Sequence, residues 1–83
     1  MIELRIESKE ITDKRDKSGN LIAVNHRTEY VEAKSLIDYA IKKFRELRKE
    51  KISYASLTDY DGWYSISVSK KETLLIVEIH TAR

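Results

Sequence analysis

The dipeptide Asp61-Gly62 stands between two runs in which apolar and polar residues alternate, "YASLTDY" before it and "WYSISVS" after it. No other stretch constrains the fold as tightly. An acidic residue followed by glycine supplies the two positive-φ positions of a type I′ turn, whose twist suits a two-residue hairpin. That turn sets Tyr60 opposite Trp63, Leu57 opposite Ile66 and Ala55 opposite Val68. It also divides the faces, because successive strand side chains point to opposite sides. Ala55, Leu57, Tyr64, Ile66 and Val68 form an inward face. Tyr54, Ser56, Thr58, Tyr60, Trp63, Ser65, Ser67 and Ser69 face outward.

A third strand, "ETLLIVEIHTA", follows through Lys70-Lys71. Leu75, Val77 and Ile79 continue the inward face with Tyr64 and Ile66, while Leu74 and Ile76 lie outward beside Ser67 and Ser65. A strand apolar on both faces belongs in the middle of a sheet. The N-terminal half opens with another alternating strand, in which Ile2, Leu4 and Ile6 oppose Glu3, Arg5 and Glu7. A polar turn, "TDKRDKSGN", leads into a second strand, "LIAVNHRTEYVEA". The parity of this strand is open. Ile22, Val24 and Tyr30 share one face and Leu21, Ala23 and Val31 the other, unless a bulge near Asn25-His26 switches them.

Between the two strand regions the apolar period lengthens. Leu36, Ala40, Phe44 and Leu47 recur at helical spacing, with Ile37 and Ile41 on the same stripe. Ser35 is placed to cap this helix and Asp38 sits in its first turn, where negative charge suits the helix dipole. Its outer face carries Lys42, Lys43, Arg45, Glu46, Lys49 and Glu50, and basic residues toward Lys51 suit its C-terminal end. The order is ββαβββ: an α+β fold with a five-stranded, mainly antiparallel sheet and one helix on one face. At 83 residues the chain is a single domain, 1–83, with a thin stability margin. It lacks cysteine, which suits a reducing cytoplasm. It also lacks any apolar run long enough for a signal peptide or a membrane span.

The residues point away from catalysis. The two histidines, His26 and His80, are far apart in sequence, and no nucleophile elbow or glycine-rich phosphate loop is present. Glu78 and His80 share a strand face and could orient an imidazole, but a general base also needs a cleft and a proton to remove. His26, Glu29, Glu78 and His80 are too scattered for a zinc set, whose ligands come in close pairs. No cofactor and no metal are expected. A net charge of +2 is too small for an obligate nucleic-acid binder. Even so, Lys14, Arg15 and Lys17 in the first turn, Lys42, Lys43, Arg45 and Lys49 on the helix, and Lys70 and Lys71 could neutralise phosphates. The plainer account of these cations is a solvated surface.

The outward face carries the sharper signal. Tyr54, Tyr60, Trp63, Leu74 and Ile76 stand in a field of hydroxyls, so the helix belongs on the other face, where no hydroxyl would be stranded. Aromatics on a small, polar background suit a contact surface for another protein or for a second copy of the chain. The same aromatics could stabilise the hairpin as a cross-strand pair, or stack on single-stranded bases.

"TEYVEAKSLIDYAIKKF", a strand running through a serine cap into an amphipathic helix, is followed by "ISYASLTDYDGWYSISVSKKETLLIVEI", a meander with an aromatic after its acidic-glycine turn. In this topology the chain resembles small phage and mobile-element proteins, among them anti-CRISPR proteins with a five-stranded sheet and one helix. The resemblance implies a viral inhibitor that binds a host protein or nucleoprotein complex in the host cytoplasm, and it carries over no individual functional residue. The sequence-based expectation is therefore a non-enzymatic interaction protein using the outer sheet face. The alternative is a nucleic-acid binding module using the basic turns and helix face.

Overall fold

The computed structural model describes residues 1–49 and 54–82. The elements are β1 (Ile2–Arg15), β2 (Leu21–Ala33), α1 (Leu36–Arg48), β3 (Tyr54–Asp59), β4 (Tyr64–Ser69) and β5 (Thr73–Thr81). The strands form one five-stranded sheet in the order β2-β1-β5-β4-β3, with every neighbouring pair antiparallel. The strand that is apolar on both faces, β5, is the central one, and it joins the two hairpins through β1.

The second hairpin has the register its turn demands. Leu57 pairs with Ile66, Ala55 with Val68, and the Tyr60 amide donates to the Trp63 carbonyl at 2.9 Å. Asp61 and Gly62 have φ of 58° and 117°, the positive values that a type I′ turn needs. Asp59 Oδ1 accepts from the Asp61 amide at 2.9 Å and steadies the bend.

The core lies between the helix and one face of the sheet. Leu4, Ile6, Ile66, Val68, Val77 and Ile79 are buried from the sheet side, with Ala33 and Ala40. Leu36, Tyr39, Phe44 and Leu47 pack against them from α1. Ser35 Oγ accepts from the Asp38 amide at 3.1 Å, the expected cap. The stripe is narrower on one side than its spacing suggests, because Ile37 is 49% exposed. At 100° per residue Ile37 falls on the flank of the stripe, and Tyr39, on the opposite flank, packs instead. Glu50 and Lys51, assigned to the helix end from the sequence, lie outside the described residues.

A bulge resolves the parity of β2. The register shifts between Ser8 and Glu10, and Asn25 adopts φ 55°. The extra residue inverts the alternation, so Val24, opposite Glu10, shares the helix side of the sheet with Val31, opposite Leu4. Tyr30, opposite Arg5, is sent to the outer face. The first turn is also shorter than the polar run "TDKRDKSGN": β1 continues to Arg15, and the loop closes over Asp16–Asn20. Asp16 Oδ1 accepts from the Ser18 and Asn20 amides at 2.9 and 3.0 Å, which makes the tighter loop self-sufficient. Pairing of β1 with β5 stops at Thr12, so this hairpin projects beyond the sheet as a two-stranded arm.

Candidate contact surface on the outer face

The outer face follows directly from the register. Its first cross-strand row reads Tyr60, Trp63, His80, Arg5, Tyr30, one residue from each strand or its end. The next is Thr58, Ser65, Glu78, Glu7, Thr28. Ser56, Ser67, Ile76 and Lys9 follow, and then Tyr54, Ser69, Leu74, Ile11 and Ala23.

The first row is built of planar groups. The Tyr60 and Trp63 rings stack at 4.4 Å and 14°, and Trp63 stacks on His80 at 4.7 Å and 18°. Trp63 immediately precedes β4, which lies between the strands next to Tyr60 and His80, so its two stacking partners approach it from opposite sides. The His80 imidazole is tied further inward, with Nε2 2.9 Å from Glu78 Oε1. Glu78 lies directly opposite Glu7, whose Oε2 is 3.5 Å from Arg5 Nε. That Arg5 nitrogen is buried and meets no hydrogen-bond geometry, so the contact with Glu7 is electrostatic only. At the two ends of the row Tyr60 and Tyr30 are exposed, at 51% and 60%.

The aromatic and apolar residues singled out from the sequence share this face but not one patch. Tyr60 and Trp63 occupy one end, Leu74 and Tyr54 the other, and Ile76 lies between them beside Ser67. Tyr54 and Tyr60 are separated along β3 by roughly 20 Å at 3.3 Å per residue. The structure adds His80, Arg5 and Tyr30 to the first group and Ile11 to the second. From the sequence, His80 has no place in the contact surface. Its place beside Trp63 depends on the register of β5 against β4, which is shifted by two residues from the expected one. Ile76 pairs with Ser67 and Leu74 with Ser69, and no local signal sets that alignment.

The cations fall into separate places. Lys42, Lys43 and Arg45 lie on α1 and Lys49 caps its C-terminal end, across the sheet from the aromatics. Lys14, Arg15 and Lys17 are on the arm, interleaved with Asp13 and Asp16, and Arg15 Nη1 donates to the Gly19 carbonyl at 2.6 Å. Lys70 and Lys71 occupy the β4–β5 turn, at the arm's end of the sheet and roughly 20 Å from Trp63 along β4. Of the scattered donors considered for a metal, Glu78 and His80 come together; their neighbour is Glu7.

Among the described residues, no helix is long and apolar enough to cross a membrane. No family model matches the chain, and no curated protein or solved structure matches it either.

Proposed function

We propose that this chain is a small non-enzymatic interaction protein that binds a partner protein through the outer face of its sheet. One observation carries the reading: both faces of the Trp63 ring are already occupied, by Tyr60 and His80. Stacking on a nucleobase needs a free ring face. Trp63 is thus closed to a base, and what remains is a row of planar side chains with Tyr60 and Tyr30 exposed at its ends, flanked by serine and threonine. Such a surface is preordered and therefore loses little side-chain entropy on docking.

The partner class comes from the topological resemblance: a host protein or nucleoprotein complex, which an anti-CRISPR-like viral inhibitor would disable by occupying its surface. In the nucleic-acid alternative the cations are dispersed over the arm, the β4–β5 turn and α1, and those of α1 lie across the sheet from the aromatic row.

The test is affinity capture of the partner at near-physiological salt, using wild type, Trp63→Ala and Tyr30→Ala. Both variants should lose at least about tenfold in affinity, since central aromatics carry much of the energy of such contacts. Tyr30 is exposed, so its loss leaves the core untouched. Wild-type binding by both variants would overturn the reading. Sedimentation of the free protein detects a second copy on the same face.

A further inference from the structure

We propose that Glu7, Glu78 and His80 form a binding site for one divalent transition-metal ion of the zinc type, set into the outer face of the sheet. The donor atoms of these three half-buried side chains already lie within 4.8 Å of one another. The arrangement comes from the fold: Glu7 and Glu78 are cross-strand partners on β1 and β5, and His80 is two residues further along on the same face. Like charges directly opposite on neighbouring strands repel. The offsets present are small. Arg5 Nε approaches Glu7 at 3.5 Å without a hydrogen bond, and His80 Nε2 contacts Glu78. A dication between the two carboxylates turns that repulsion into attraction, in competition with Arg5.

The donor set selects the ion. Calcium and magnesium favour all-oxygen sites, whereas imidazole with carboxylates suits zinc and its neighbours. The ring is oriented beforehand, because stacking on Trp63 at 4.7 Å fixes its plane with Nε2 directed at Glu78. In metal sites that orienting role usually falls to an outer-shell hydrogen bond. Binding requires the Nε2 lone pair, so the ring takes its proton on Nδ1 and the contact with Glu78 gives way to the ion. A groove of about 180 Å³ lined by Glu7, Glu78 and His26 opens beside the two carboxylates. The site is independent of the contact reading above, since the free protein would fill it.

Trp63, the only tryptophan, makes the test direct. Co²⁺ titrated into the free protein should quench its fluorescence saturably at one equivalent, and Zn²⁺ but not Ca²⁺ should displace it. Glu7→Gln and His80→Gln should each weaken Co²⁺ binding by about tenfold or more, whereas Glu29→Gln should bind as wild type does. Without metal, Glu7→Gln should melt no lower than wild type, because the substitution removes the opposed charges and shows that the fold is intact. No saturable quenching, a stoichiometry other than one, displacement by Ca²⁺, or undiminished binding by Glu7→Gln or His80→Gln would overturn the proposal.

Discussion

Gly62 shows how much of the candidate surface hangs on a single backbone position. Its φ of 117° lies where an L side chain is strained, although a Cβ there would meet no neighbouring atom. Gly62→Ala should therefore cost about 1–2 kcal/mol, a purely conformational penalty measurable by urea denaturation. The loss should appear with the denaturant slope unchanged, since no buried surface is altered. A cost near zero would mean that the turn is not type I′, and the Tyr60–Trp63 stack would lose its geometric basis. This part of the site was legible in the sequence because Asp-Gly between alternating runs determines turn, register and faces together. His80 was not. Its contact with Trp63 spans β4 and β5, whose alignment depends on the turn at Lys70–Glu72, and that turn has no glycine to announce its type.

Among the elements, β2 gives the clearest case of a conformation that the hydrophobic pattern left open. Its apolar residues change parity at Asn25, and only an extra residue lets Val24 and Val31 serve the same face. Asparagine tolerates the left-handed backbone that the bulge requires, and a β-branched residue does not. Asn25→Val should destabilise the protein by about 1–2 kcal/mol, while Asn25→Gly should be close to neutral; thermal melts of the two compare them directly. Equal stability of Asn25→Val and wild type would contradict the bulge. The helix was easier to read, since Ser35 and the Leu36–Leu47 stripe specify it locally. Ile37 departed from the stripe because spacing gives only an angle around the helix, while the position of the sheet decides which flank is covered.

Taken whole, the molecule packs its helix and core on one face of a single sheet, and among the described residues the other face is left uncovered. Titration should expose this asymmetry. Tyr39, on the helix side, has its phenol pKa raised first by burial and then by the charges of Glu29 and Glu46. Partial burial and the neighbouring Asp59 carboxylate raise that of Tyr64 as well. A raised folded-state pKa means that the associated stability is complete below the ordinary tyrosine value near 10 and is lost as pH rises through the folded value. Stability should thus be insensitive to these groups at neutral pH and fall in the alkaline range. Tyr39→Phe should reduce that alkaline slope in melts taken between about pH 9 and 12. An unchanged slope would mean that Tyr39 ionises freely in the folded state.

Under the proposed function, the outer face docks a protein and not nucleic-acid bases. The most direct measurement is Trp63 fluorescence during titration with duplex DNA, single-stranded DNA and RNA, at low and near-physiological salt. With both ring faces occupied and the cations dispersed, the account predicts no saturable change at near-physiological salt. A saturable change that fades steeply as salt rises would mark phosphate-driven binding with bases at the aromatic row, and would contradict the account.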